Sequence, residues 1–527
     1  MESHNLKVSK ELSIYLKYLG VESVVVCSGS RNAPLVFTLE MTDSFQIFHH
    51  HDERSAAFFA LGLIFQKRAP VAVLCTSGTA AAELLPATIE AYYQKLPLIL
   101  ITADRMPEFR GTGAPQSINQ VGLFTSYAKT FDIQSVGDYS STSKEILEFP
   151  FHLNICLEEP RSGDWEKVVL PIVVEKQNKV KATSSLDSSI KEQIENFVET
   201  ASSLLVVVGS VAPEEALELS RFLKQLGAPI LADTTANLSE VVSSLVLHCG
   251  DKVLKDWKPE KVLRFGGVPS FRFWRDLEEN SIELMNLTTL PFSGLARKTC
   301  HFTLNTYADL QSLSCEAPSV PEVFERDNVL WEALNQLLKK YPESELAYLR
   351  LLSKKIPSEA VLYLGNSLAI REWNLVNAQS HQSYANRGAN GIDGQVSTFL
   401  GLADIVPEAW AILGDQTALY DLNALAVSNQ RSRSLLKAKR RIVVVNNGGG
   451  KIFSHLNYSS SLSSQQRKLI ENQHRWEFRG WAEMFAWGYE AFTQGAVAFN
   501  SDIDDLVLEV FPNPSQTQHF WSEWRKV

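Results

Sequence analysis

Short apolar runs rich in β-branched residues recur along this chain, and each ends in a small polar loop from which a helical period sets out. Residues 21–27 lead into Ser28 to Asn32 and a helix start near Pro34; residues 70–75 lead into TSGTAAAELL; residues 96–102 end in Ala103-Asp104-Arg105. Later, residues 409–413 end in Gly414-Asp415, and residues 442–445 end in Asn446-Asn447 followed by Gly448, Gly449 and Gly450. A run that is apolar throughout has both faces buried, which is the condition of a strand inside a parallel sheet with helices on either side. Further strands are expected at 45–48, 152–157, 203–208, 229–232, 261–266, 360–364 and 489–492, and helical periods at 10–19, 190–200, 214–226 and 329–337. The expected fold class is therefore α/β, built from doubly wound parallel sheets.

At 527 residues the chain exceeds what a single core accommodates. The Lys- and Ser-rich stretch at 176–191 reads as a linker, and a Pro-bearing junction lies near 317–321. The expected organisation is an N-terminal domain at 1–175, a linker at 176–192, a central domain at 193–325 and a C-terminal domain at 326–527. The net charge is −10, and the few basic residues at 431–441 read as a solvated helix face or loop, so neither nucleic acid nor an anionic membrane is an expected partner. The apolar runs are too short to span a bilayer, and MESHNLKVSK lacks the apolar core of a signal peptide. The six cysteines form no CxxC pair and read as free, mostly buried thiols in a reducing compartment. A cytoplasmic protein is expected.

Loops on the carboxyl edge of a parallel sheet line its ligand crevice. Asp415, Asn447 and a freed glycine carbonyl offer hard oxygen ligands, which suit Mg²⁺ holding a diphosphate better than zinc. Taken singly, Asp415 reads as a helix N-cap and Asn446-Asn447 as a turn, but neither reading explains both ends together. Ser77-Gly78-Thr79 lacks the glycine–x–serine–x–glycine elbow of a nucleophile and reads as a cofactor-facing loop. His49, His50 and His51 alternate in direction on a strand and do not converge on a metal. Trp521 and Trp524 read as the packing of a terminal helix.

Gly414-Asp415 followed by Asn447 resembles the diphosphate–metal motif of thiamine diphosphate-dependent enzymes, with Gln416 where the common form has glycine and some extra length falling near 431–439. GDQTALYDLNAL, NNGGGKIF, SGSRNAPL, HDERSAAFFALG, TADRMPE and YANRGANGIDG are similar to stretches of the 2-succinyl-5-enolpyruvyl-6-hydroxy-3-cyclohexene-1-carboxylate synthases, the thiamine-dependent branch of menaquinone biosynthesis, which also lacks that glycine. The similarity is dense in the N- and C-terminal thirds and weak in the middle. It implies three doubly wound parallel-sheet domains of the thiamine diphosphate enzyme type. It also implies thiamine diphosphate with Mg²⁺ or Mn²⁺, and decarboxylation of 2-oxoglutarate followed by 1,4-addition to isochorismate. The assembly implied is a homodimer or homotetramer with the active site between subunits.

On this resemblance Glu53 is the acid opposite N1′ of the aminopyrimidine, where a carboxyl promotes the imino tautomer that removes the C2 proton. Alone, Glu53 would read as a dipole-stabilised acid in a first helical turn. The resemblance makes Asp415, Asn447 and the Gly449 carbonyl the metal ligands. Ser77, Gly78, Gln116, Gly414, Gln416, Ile452 and Phe453 then stand around the cofactor, with Ile392 propping its bent form. Both substrates are dicarboxylates, which arginine forks recognise. Ser30, Arg31, Arg105 and Gln116 match residues facing isochorismate. Ser367, Arg371 and Arg387 match those receiving the oxoacid, and Arg272 matches a further isochorismate contact. Arg31, Arg105, Arg371 and Arg387 are expected just after strands or in glycine-containing loops. Phe271 and Pro115 depart from the lysine and asparagine usual at their positions. Two other readings stay open: a simpler 2-oxoacid decarboxylase or another carboligase, which would not need the arginine set, and a non-catalytic scaffold, which would not need Glu53, Asp415 and Asn447 together.

Overall fold

The computed structural model describes residues 2–139, 148–169, 186–433, 438–456, 458–492, 499–500 and 502–527. The expected linker falls largely at 170–185, and part of the basic segment at 434–437, outside the described residues.

The expected apolar runs form strands, and every pairing among the described residues is parallel. The first sheet consists of β1 (Ser23–Cys27), β2 (Gln46–His50), β3 (Val71–Cys75), β4 (Leu98–Arg105), β5 (Lys129–Ile133) and β6 (Phe151–Leu157), in the order β2-β1-β3-β4-β6-β5. The second consists of β7 (Leu204–Val208), β8 (Ile230–Ala232), β9 (Lys261–Phe265), β10 (Glu283–Thr288) and β11 (Cys300–Thr303), in the order β11-β10-β9-β7-β8. The third consists of β12 (Val361–Leu364), β13 (Ser383–Tyr384), β14 (Glu408–Gly414), β15 (Lys439–Val445), β16 (Gly488–Phe492) and β17 (Asp505–Val510), in the order β13-β12-β14-β15-β17-β16. With helices between the strands, this is the α/β class with three parallel sheets.

Five strands had no counterpart in the expected set. β5, β11 and β13 are edge strands with one side unpaired, so they keep polar residues and lose the apolar signature. β10 reads ELMNLT, with Leu and Met where β-branched residues would mark a strand. β17 is interior but carries Glu509, which is fully buried and accepts bonds from Asn446, the Phe478 N–H and Tyr489.

The chain divides into two compact units, the first being Met1–Lys181 with Gly388–Pro407 and Leu419–Ala438. Within it, helix Glu53–Lys67 is buried from Ser55 to Phe65. It meets helix Gln395–Ala403 at glycines: a Cβ on Gly62 would lie 2.0 Å from the Thr398 carbonyl oxygen, and one on Gly401 2.0 Å from that of Phe59. The second unit is Ala182–Arg387 with Glu408–Ala418 and Lys439–Val527. Its two sheets share one apolar cluster containing Trp274, Trp373, Trp410, Phe520 and Trp524. Each such side chain contributes about 1.5–3 kcal/mol by leaving water. Trp524 is buried in this cluster and Trp521 packs against it, as the terminal helix Pro514–Trp524 requires. All six thiols are free; five are buried, while Cys300, on edge strand β11, is exposed. Among the described residues no helix is long and apolar enough to cross a membrane.

Candidate active site

In the first unit the strand order reverses between β1 and β3, which puts the ligand crevice at their carboxyl ends. The loops leaving these strands touch, since a Cβ on Gly29 would lie 2.5 Å from Thr76 Cβ. Asn32 shapes the first loop by accepting from the Gly29 N–H at 2.9 Å and donating to the Cys27 carbonyl at 2.8 Å. Ser30 is exposed there. Arg31 is buried, and its guanidinium donates to Glu159 at 2.6 Å and to the Leu157 carbonyl at 3.3 Å. Ser77 and Gly78 precede the short helix Thr79–Glu83. Gly78 has φ +87°, and its N–H donates to Gln120 at 2.9 Å. Gln116, at φ +55°, presses against Gly78. Arg105 ends β4; its Nε donates to the Pro115 carbonyl at 3.1 Å, and its guanidinium lies 5.2 Å from the Phe109 ring centre.

Glu53 opens the helix that follows β2, behind the N-cap Asp52, whose carboxylate accepts from the Ser55 N–H at 3.0 Å. Burial, helped by Asp52 and Glu83, raises the half-buried Glu53 carboxyl above its ordinary range. Burial also pushes up the thiols of Cys27 and Cys75, the last residues of β1 and β3, and the Glu53 carboxylate adds to both shifts. Glu53 therefore lies near those strand ends. A carboxyl raised in this way releases its proton less readily than a free one. Two buried acids set the surroundings. Glu90 accepts from the Gly388 and Ala389 N–H groups at 2.7 Å each, pinning the loop that carries half-buried Ile392. Asp421 accepts from Ser55 Oγ at 3.0 Å and the Ser397 N–H at 2.7 Å, tying the Glu53 helix to the one that follows Ile392.

In the second unit the third sheet reverses between β12 and β14, whose loops carry Ser367 and Gly414-Asp415. In the central sheet the loops after β7 and β9 touch, a Cβ on Gly209 lying 2.1 Å from the Gly267 carbonyl oxygen. Asp415 is buried as the first residue of helix Asp415–Tyr420. One carboxylate oxygen accepts from the Gln416 N–H at 2.6 Å; the other accepts from Gly448 and Gly449 at 2.9 and 2.8 Å, with His474 Nε2 3.2 Å away. Burial raises Asp415, and the Gly449 N–H and His474 offset part of the rise. Gly449 has φ +137°, and a Cβ there would lie 2.6 Å from the Glu471 carbonyl, so only glycine fits. Gln416 has helical backbone and donates to the Glu471 carbonyl at 2.8 Å, so its position does not demand glycine. Ile452 and Phe453 follow, half-buried, in the turn Lys451–His455.

The metal fits these residues on one specific point. Asn447 donates its amide to Glu345 at 3.2 and 3.1 Å, while its Oδ1 is buried with no hydrogen-bond partner among the described residues. An orphaned buried acceptor costs about 1–3 kcal/mol, and a hard divalent cation is the partner its chemistry suits. The Gly449 carbonyl accepts from the Lys451 N–H at 2.8 Å and keeps a second lone pair.

The oxoacid arginines are placed differently from expectation in one respect. Arg371 lies on helix Leu368–Val376 and not in a loop. Ser367, before it, has φ +72°, a strained conformation of the kind found at ligand sites. The half-buried Arg371 guanidinium makes no hydrogen bond or ion pair with a described residue. Burial, then Arg275 and Arg387, lowers it below its ordinary value, with Asp251 and Asp233 opposing. Arg387 donates to Asn366 at 2.8 Å. Arg272 is exposed and faces Asp276 at 3.6 Å, so the central-sheet guanidinium that Arg371 feels is Arg275.

Residues 6–123 match the family model described as thiamine pyrophosphate enzyme, N-terminal TPP binding domain. A 2-succinyl-5-enolpyruvyl-6-hydroxy-3-cyclohexene-1-carboxylate synthase from Bdellovibrio bacteriovorus is 36% identical to this chain, covering 99% of it and 98% of the relative. The chain belongs to this synthase family. Relatives of the same name from Akkermansia muciniphila (37% identical, 95% of each chain) and Bacillus cytotoxicus (32%, covering 84% of this chain and 82% of the relative) agree. The supporting acids of this synthase, Glu90, Glu345 and Asp421, were not singled out from sequence. Glu345 follows Ser344 at a helix start and looks like any exposed first-turn acid, although it is buried.

Proposed function

We infer that this chain uses thiamine diphosphate to decarboxylate 2-oxoglutarate and adds the remaining four-carbon unit to isochorismate in a 1,4-addition, giving 2-succinyl-5-enolpyruvyl-6-hydroxy-3-cyclohexene-1-carboxylate and CO2 in menaquinone biosynthesis. The observation that carries it is 36% identity to a synthase of that name across 99% of the chain. Bound thiamine diphosphate supplies the electron sink for decarboxylation. Asp415, Asn447 and the Gly449 carbonyl hold Mg²⁺ or Mn²⁺. Glu53 holds a proton at the aminopyrimidine nitrogen, supported by its raised carboxyl. Ser77, Gly78, Gln116, Gly414, Gln416, Ile392, Ile452 and Phe453 shape the cofactor site.

Arg371, with Ser367 and Arg387, receives the 2-oxoglutarate carboxylates; its half-buried guanidinium, which makes no hydrogen bond or ion pair among the described residues, supports this. Arg31 and Arg105, with Ser30 and Gln116, bind isochorismate, whose carboxylate displaces the exposed Glu159 from Arg31. Arg272 is the weakest of the set, because its side chain is exposed and already paired. The protein is cytoplasmic and works as a homodimer or homotetramer with the active site between subunits, on domains at 1–175, 193–325 and 326–527. Incubation with thiamine diphosphate, Mg²⁺, 2-oxoglutarate and isochorismate, followed by mass spectrometry, tests the reaction. The succinylated cyclohexene carboxylate is expected; succinic semialdehyde alone would show a simple decarboxylase.

A further inference from the structure

The side chain of Asn447 has two nearly isosteric ends, and only the oxygen can hold a cation. Its Nδ2 lies 3.2 and 3.1 Å from the two carboxylate oxygens of Glu345, and its Oδ1 is buried with no hydrogen-bond partner among the described residues. Glu345 is itself 4% exposed, fixed at the start of helix Glu345–Lys355 behind the cap Ser344, whose Oγ accepts from the Ala347 N–H at 3.3 Å. When ionised a carboxylate accepts only, so an amide facing both of its oxygens presents nitrogen and turns its oxygen away. We propose that Glu345 is the positioning residue of the metal site: it selects the amide orientation of Asn447 that leaves Oδ1 free for the divalent cation. This rests on reading Asp415, Asn447 and Gly449 as the metal ligands. Among the described residues the Glu345 carboxylate hydrogen-bonds Asn447 and makes no hydrogen bond to Asp415 or Gly449, so it orients a ligand in the way that outer carboxylates orient metal-bound histidines. The buried Glu372 stands beside Glu345, so the helix that carries Arg371 also borders this lock.

The test is Mn²⁺ binding in the presence of thiamine diphosphate, read from the free Mn²⁺ resonance without turnover. Glu345→Gln removes the acceptor-only constraint at constant size, and Mn²⁺ affinity should fall about 10–100-fold. Asn447→Asp alone sets two carboxylates against each other and should also weaken binding. Combining Glu345→Gln with Asn447→Asp exchanges donor and acceptor across the same contact, so the double variant should bind Mn²⁺ more tightly than Asn447→Asp alone. A role confined to packing would show no such rescue. Wild-type affinity in Glu345→Gln overturns the proposal, and so does a folded double variant no better than Asn447→Asp. If Glu345→Gln does not fold, the comparison of the double variant with Asn447→Asp still decides. Failure of the unaltered protein to bind Mn²⁺ with thiamine diphosphate would overturn the metal reading itself, which separates the two failures.

Discussion

Replacing Gly401 with alanine tests how the Glu53 helix is seated. The added Cβ would lie 2.0 Å from the Phe59 carbonyl oxygen and 3.1 Å from the Leu63 nitrogen, all backbone of helix Glu53–Lys67. Ordinary contact begins near 3.4 Å, so the helices must part by about 1.4 Å. Backbone cannot rotate aside as a side-chain tip can, so the upper part of the roughly 1–3 kcal/mol range for overpacking applies. Alanine's better helix propensity returns up to about 1 kcal/mol, leaving a net loss of about 1–2 kcal/mol. The same shift displaces Glu53 against the loop bearing Ile392, and misplacement of about 1 Å can cost 10²-fold in rate. Thermal midpoint and kcat/KM at saturating thiamine diphosphate should therefore both fall in Gly401→Ala. Gly480→Ala is the control: Gly480 is an exposed helical glycine with nothing within 4 Å of its Cβ position, so its midpoint should hold or rise. Wild-type midpoint and rate in Gly401→Ala would refute the close packing.

Glu53→Gln should reduce turnover by about 10²–10⁴-fold. The raised carboxyl means that the folded state holds this proton more tightly than the unfolded chain, so ionised Glu53 opposes folding. That opposition is absent below the ordinary value of 4.5 and grows as pH rises through the raised one, so Glu53→Gln should melt higher at neutral pH and converge with wild type in acid. A lower midpoint at neutral pH contradicts this. Arg371→Lys should cut kcat/KM for 2-oxoglutarate by about 10²-fold, equivalent to ~3 kcal/mol, with little change in the KM for isochorismate; the reverse split would assign Arg371 to the other substrate. Asp415→Asn should weaken Mn²⁺ binding in the presence of thiamine diphosphate by more than about 10-fold, measured by titration; unchanged binding removes Asp415 from the metal site. Asp421→Ala strips the buried Ser397 N–H of its acceptor and should lower stability by about 1–3 kcal/mol in a denaturant titration.

The buried strands were legible in the sequence where their runs are apolar, as in β1, β3 and residues 442–445 of β15, and so were the loops that follow them; Lys439, Arg440 and Arg441, read from sequence as part of a solvated face or loop, instead open β15, with both arginines buried. The polar edge strands β5, β11 and β13 and the charged interior strand β17 were not, since burial at Glu509 depends on partners far along the chain. Asp415 and Asn447 were recognisable as a pair of strand-end oxygens, and the arginines through family resemblance. Arg275 and Glu345 were not, because helical spacing gives no measure of distance to Arg371 or Asn447. Gln416 was placed around the cofactor by resemblance, in a branch that also lacks the glycine, but its bond to the Glu471 carbonyl was not readable from sequence.

The ratio of CO2 released to isochorismate consumed tests the synthase assignment most directly, measured with 2-oxoglutarate in excess and isochorismate limiting. One CO2 for each isochorismate is expected, with release falling to a trace once isochorismate is exhausted. CO2 evolution that continues unabated without isochorismate would contradict the assignment and make the chain a simple oxoacid decarboxylase.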